Sequence, residues 1–151
     1  MEIEKKTTDA VKDLIAINND RYQGYKKAAE DSTDKDLKEM FNKFSEQSAD
    51  FASELRKFVS DEDAQTKQNE TSNTGKMFRV WMDVKAAVGN NDRKAVLKSC
   101  EIGEDTAKKH YDDAIETGDE ISTSALAEIK RQRTELQKSH DTVKSMRDNT
   151  K

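Results

Sequence analysis

The chain has no proline, one cysteine, five glycines and only 6% aromatic residues in 151. Proline breaks helices because it lacks an N–H and clashes with the preceding turn, so its absence lets helices run wherever apolar spacing supports them. One cysteine, Cys100, cannot form an internal disulfide, and it falls on the apolar stripe of a helical segment. It therefore reads as a small buried hydrophobe, with a redox thiol as the lesser alternative. The chain also lacks a Gly-x-Gly-x-x-Gly loop, a Walker loop, a Gly-x-Ser-x-Gly elbow and a Cys-x-x-Cys pair, which leaves nucleotide and nucleophilic chemistry without support. No apolar run is long enough to cross a bilayer, and Met1-Glu2-Ile3-Glu4-Lys5-Lys6 lacks the apolar core of a secretion signal. A cytoplasmic protein with no membrane partner is expected.

Charged residues make up 38% of the chain and hydrophobic residues 32%, close to the range of disordered sequences. The apolar residues nevertheless recur at helical spacing, which decides for a folded all-α protein with one core. A formal net charge of −4 gives no overall drive toward nucleic acid or anionic lipid. Lys130-Arg131-Gln132-Arg133 is a basic cluster, but acids follow it and no aromatic residues interleave, so it reads as a solvated face.

Four long helices are predicted, over about 4–30, 34–59, 93–117 and 123–148. The first carries Val11, Leu14, Ile15, Asn18, Tyr22, Tyr25 and Ala29 on one face. Thr33-Asp34-Lys35-Asp36 resembles a capping box that starts the second, which turns Leu37, Met40, Phe41, Phe44, Ser48, Phe51, Leu55 and Phe58 inward. The short turn between them makes an antiparallel hairpin. Residues 60–92 form a connector, polar from about Ser60 to Gly75, with a short helix over 77–88 ended by Gly89-Asn90-Asn91. This crossover is long enough to let the third long helix start at the same end as the second and run parallel to it. The third helix presents Val96, Leu97, Cys100, Glu104, Ala107, Tyr111 and Ala114. The fourth presents Leu126, Ile129, Arg133, Leu136, His140, Val143 and Met146, with Gln132 beside the stripe.

Each stripe is interrupted near its middle by polar residues: Asn18, Ser48, Glu104, and Arg133 with His140. A polar layer inside the bundle is the consequence, and such layers are where helical bundles hold metals. A di-iron site would need a Glu-x-x-His pair on each of two helices, and neither His110 nor His140 is preceded by the required Glu. Two readings remain for Glu104. In the first it is a structural acid satisfied by Arg133, His140 or a tyrosine hydroxyl. In the second, Glu101, Glu104 and His140 hold a divalent metal: iron, manganese or zinc. His110 sits off the stripe and reads as an exposed histidine without a function. Phe78 and Trp81 either cap the bundle or mark a partner surface.

The helix pair and connector, Arg79-Val80-Trp81-Met82-Asp83-Val84-Lys85, Cys100-Glu101-Ile102-Gly103-Glu104-Asp105 followed by Tyr111, and Gln132 with His140-Asp141 together resemble a bacterial family of ferritin-like four-helix-bundle proteins of unknown function. The resemblance covers about Leu14 to Arg147. It implies a ferritin-like four-helix bundle with a long crossover containing a short helix between helices 2 and 3, and a stress association. The departure from the ferritin ligand pattern puts iron oxidation in doubt, since a fold can be inherited without its function. The favoured expectation is a non-enzymatic bundle without a cofactor, acting as a homodimer or on a protein partner. The alternative is a metal-binding bundle or metal-dependent oxidoreductase.

Overall fold

The computed structural model describes residues 2–60 and 75–150. Among them are five α-helices and no strand: α1 (Glu2–Asp31), α2 (Lys35–Arg56), α3 (Gly75–Gly89), α4 (Arg93–Glu116) and α5 (Thr123–Asp148), with a 3-10 turn at Gly118–Glu120 before the last. The stretch expected as a polar connector lies almost wholly outside the described residues. No helix among the described residues is long and apolar enough to cross a membrane.

α1 packs against α2, α3 and α4, while α5 packs against α4 and α2. Residues 14–21 of α1 are all buried, so this helix is enclosed along its middle, where it meets three neighbours. Asp13 pairs with His110 and Arg21 with Glu104, so α1 and α4 run in opposite directions. Arg93 at the start of α4 bonds Asp34 and Asp36 at the start of α2, which puts those two N-termini at one end.

That contact also explains why the expected capping box does not form. Asp34, not Thr33, is the N-cap residue of α2, and its side chain makes no capping bond. Both acids are drawn to Arg93, whose Nη2 lies 2.6 Å from Asp36 Oδ2 and whose Nη1 lies 3.2 Å from Asp34 Oδ2. The Thr33 hydroxyl instead donates to Asn91 Oδ1 at 3.4 Å. Side chains do cap the later helices: Asp92 accepts from Ala95 N at 3.1 Å and Ser122 from Ala125 N at 3.3 Å. Asn91, in the left-handed region at φ 55°, turns the chain from α3 into α4.

α3 sits close to α1 and α4 because each offers a glycine in mid-helix. A Cβ on Gly24 would lie 2.2 Å from the Trp81 ring, and one on Gly103 would lie 2.9 Å from Val80 Cγ1. A glycine inside a helix costs about 1 kcal/mol relative to alanine; here it gives backbone access to the side chains of α3.

One stripe differs from expectation. The buried residues of α5 are Ala125, Ile129, Gln132, Leu136, Ser139 and Val143. Arg133 and His140 are each one position beyond the buried residue and lie half-buried at the edge. Gln132 and Ser139 take the inward places because a neutral amide and a hydroxyl are satisfied there, by Tyr111 and the Phe51 carbonyl and by Gln47, whereas the Arg133 charge reaches Asp112 at the edge.

Candidate functional site

The polar interior of the molecule is organised around Arg21, a charged residue in mid-α1 that is only 1% exposed. Its Nε donates to Glu104 Oε2 at 2.9 Å and its Nη2 to Glu104 Oε1 at 2.7 Å, a two-bond fork between α1 and α4. The remaining nitrogen, Nη1, donates to Ser48 Oγ at 2.8 Å and to the Phe44 carbonyl at 3.4 Å, both on α2. The guanidinium also lies over two rings, 5.2 Å from the centroid of Tyr25 and 5.3 Å from that of Phe44. Burial opposes the Arg21 charge, but the charge and hydrogen bonds of Glu104 outweigh it and hold the pKa above the usual arginine value.

A continuous line of hydrogen bonds leads away from this pair. Ser48 Oγ donates to Asn18 Oδ1 at 3.0 Å. Asn18 Nδ2 donates to the Leu14 carbonyl and to the Tyr111 hydroxyl, each at 2.8 Å. Tyr111 donates to Gln132 Oε1 at 2.6 Å, and Gln132 Nε2 donates to Glu128 Oε2 at 2.8 Å and to the Phe51 carbonyl at 3.2 Å. Glu128 ends the line at the surface, where Arg131 donates to both of its oxygens, from Nη2 at 2.6 Å and from Nε at 3.0 Å. The line threads α1, α2, α4 and α5, and each donor in it points at an acceptor without conflict. Burial pushes the Tyr111 hydroxyl to a pKa well above its ordinary value, with the bond from Asn18 acting the other way. It is therefore a neutral donor at physiological pH.

Next to the line is an aromatic group with different polar status. The Tyr25 ring meets Phe41, Phe44 and Trp81, the last edge-on with centroids 4.8 Å apart. The Tyr25 hydroxyl and the Trp81 Nε1 are buried with no hydrogen-bond partner among the described residues. Burial, then the charge of Glu104, raises the Tyr25 pKa far above its usual value. Cys100 is buried as well, and burial followed by Glu104 raises its thiol pKa so strongly that it stays a thiol.

Asn18, Ser48 and Glu104 thus belong to one hydrogen-bonded cluster. Arg133 and His140 lie outside it. Arg133 bonds Asp112 at 2.7 Å and Gln137 at 3.0 Å. His140 sits between two carboxylates, Nε2 3.0 Å from Asp105 and Nδ1 3.1 Å from Asp141. Glu101 is bonded by Arg147 across the α4–α5 seam. The three candidate metal ligands Glu101, Glu104 and His140 are therefore committed to three different sets of partners. Among the described residues no group of three or more histidine, cysteine, aspartate and glutamate side chains is placed to hold a metal ion, so this ligand set does not fit one. The reason is directional: Glu104 turns toward α1 and Arg21, while Glu101 and His140 find partners on α4 and α5. His110 is not a solitary surface histidine, since its Nδ1 lies 2.9 Å from Asp13 Oδ2.

Sequence reasoning missed Arg21, although a signal was present. Leu14, Asn18, Arg21 and Tyr25 are spaced four, three and four apart, so Arg21 continues the stripe better than Tyr22, which is only half-buried. The buried acid Glu104 called for a cation, and the one on the facing helix's stripe supplies it.

Phe78 projects into solvent and Trp81 packs onto α1 at Gly24. Between α1 and α3 lies a surface groove of about 290 Å³ lined by Gly24, Ala28, Trp81 and Val84 among others, and by none of the side chains of the polar line.

No curated protein matches the chain. The family model described as "Domain of unknown function (DUF2383)" matches residues 6–117, which takes in Asn18, Arg21, Ser48, Glu104 and Tyr111 and ends before Gln132. With more than half of its length matched, the chain belongs to this family, DUF2383.

Proposed function

We propose that this protein is a non-enzymatic helical scaffold, a ferritin-like bundle with a crossover between α2 and α4, that acts by associating with a second copy of itself or with a protein partner. The observation that carries the reading is the closure of the polar interior. Both oxygens of Glu104 accept from Arg21, and the guanidinium's third nitrogen is spent on Ser48 and Phe44. A catalytic or metal-binding centre needs groups held ready for a ligand, together with a way in. Here both carboxylate oxygens and all three guanidinium nitrogens are already engaged, and the groove between α1 and α3 is lined by other residues. A buried ion pair of this kind sets the register of α1 against α4 at little net gain in stability. A stress-associated role in the cytoplasm belongs to this proposal through the family resemblance alone.

Elemental analysis tests it, on protein purified without chelator or affinity metal and again after ferrous iron, manganese or zinc is added and the excess removed. The expected result is no stoichiometric metal. Stoichiometric metal that disappears in Glu104→Gln would replace the scaffold reading with the metal-dependent one, in which Glu104 leaves Arg21 for a cation.

A further inference from the structure

The outward face of α3 carries two large apolar side chains one turn apart, Phe78, 68% exposed, and Met82, 48% exposed. The other large exposed hydrophobics among the described residues, Ile3 and Ile102, are on different helices. Beside the apolar pair, Arg79 and Asp83 are likewise one turn apart and exposed, and neither makes an ion pair among the described residues. The groove between α1 and α3 opens along the same face, with Lys27 and Lys85 among its lining residues.

We propose that this face docks on the same face of a second copy of the chain, with the two α3 helices antiparallel about a two-fold axis. Charge complementarity selects that occupant. A two-fold axis across an antiparallel helix pair exchanges the ends of every i, i+4 pair. Phe78 then meets the second copy's Met82, Met82 meets its Phe78, Arg79 meets its Asp83 and Asp83 meets its Arg79. The centres of the two pairs differ by one residue, so with Phe78 level with the second copy's Met82 the Arg79 and Asp83 positions sit two residues, about 3 Å, apart along the axis, which side chains of this length can span. Had positions 79 and 83 carried like charges, the same rotation would set charge against like charge; with Arg and Asp it makes two attractive contacts flanking an apolar one. The groove accommodates the apolar side chains as the helices close, and the 15 residues of α3, about 22 Å long, supply the ridge. This inference rests on the scaffold reading and names its partner.

The test is sedimentation velocity on the full chain at concentrations up to about 100 µM, the range in which a micromolar dimer is populated. A reversible dimer is expected. Arg79→Asp and Asp83→Arg should each weaken it at least about tenfold, because each sets like charges against one another at both symmetric contacts. Mixing the two variants should restore association, since one then contributes acids at both positions and the other bases at both. Phe78→Ser should weaken the dimer without recovery in any mixture. A chain that stays monomeric, a dimer indifferent to both charge changes, or a mixture that fails to recover would overturn the proposal. Metal analysis of the same samples keeps the two readings apart. A metal-free monomer overturns the second-copy inference and leaves the scaffold to another protein partner. Stoichiometric metal overturns the scaffold reading, while the charge-swap result stands or falls by itself.

Discussion

Arg21 and Glu104, 83 residues apart in sequence, share two hydrogen bonds of 2.9 and 2.7 Å with both side chains only 1% exposed. Neither charge would be stable there alone, because each has lost its water. Together they fix α1 against α4: sliding either helix by one turn, about 5.4 Å, would leave two buried ions unpaired.

Glu104→Gln therefore destabilises the metal-free protein by about 3–5 kcal/mol, the cost of a buried charge that has lost its counter-ion. The companion variant Arg21→Met/Glu104→Leu removes both charges and recovers most of that loss, since apolar groups of similar size replace the pair nearly neutrally. Urea denaturation of the parent, the single and the double variant measures both effects. A single variant as stable as the parent would contradict the structural role of Glu104.

Two buried tyrosines make opposite predictions. Tyr111 accepts from Asn18 at 2.8 Å and donates to Gln132 at 2.6 Å, so Tyr111→Phe strands a donor and an acceptor inside the core. A loss of about 1–3 kcal/mol is expected. The Tyr25 hydroxyl has no hydrogen-bond partner among the described residues, and Tyr25→Phe removes an unsatisfied group while keeping the ring that packs on Trp81. That change should be neutral or stabilising by up to about 1 kcal/mol. Equal losses in thermal unfolding would refute the assignment of hydrogen bonds.

The sequence carried the helices well because its apolar residues keep helical spacing without a proline to interrupt them. Expected and observed bounds of the long helices agree to within a few residues, with α2 ending at Arg56 because Lys57, Phe58 and Val59 turn back on its last carbonyls. The polar interior was half legible. Asn18, Ser48 and Glu104 stand out as polar members of apolar stripes. Arg21 was obscured because a charged residue on an amphipathic helix is normally read as outward, and only its pairing with a residue 83 positions away reverses that. On α5 the stripe drifted by one residue at Arg133 and His140, where adjacent polar residues gave periodicity nothing to choose between. The seating of α3 was hidden for another reason: an isolated glycine such as Gly24 says that something approaches closely without saying what.

Gly24→Ala tests that seating. A helix interior ordinarily gains about 1 kcal/mol from such a change. Here the new methyl would fall 2.2 Å from the Trp81 ring, which is rigid and held edge-on by Tyr25. The clash wins, with a net loss of about 1–3 kcal/mol and a shift in Trp81 fluorescence as the ring is displaced. Gly89→Ala is the control: nothing lies within 4 Å of its added Cβ and its φ is not positive, so it should gain up to about 1 kcal/mol with the fluorescence unchanged. A Gly24→Ala protein with unaltered emission and raised stability would mean that α3 does not rest on α1 at this point.

His110 gives the fold a pH dependence on its alkaline side. Its Nδ1 lies 2.9 Å from Asp13 Oδ2 on α1, and that hydrogen bond raises the His110 pKa above the ordinary 6.5, against partial burial, with Asp113 adding to the rise and Lys109 opposing it. A raised pKa means that the folded protein holds this proton more tightly than the unfolded chain does. The resulting stability is complete below about 6.5, where the unfolded histidine is also protonated, and it is lost as pH rises through the folded value. Asp13→Asn removes the hydrogen-bonded charge, so the His110 pKa should fall and the stability difference between parent and variant should shrink as the pH is raised. NMR titration of the ring protons, assigned with His140→Gln, reads the pKa, and urea denaturation at several pH values reads the linkage. A parent His110 titrating at or below 6.5 would show that the Asp13 contact does not form in solution, and with it would go the tie between α1 and α4 at this end of the pair.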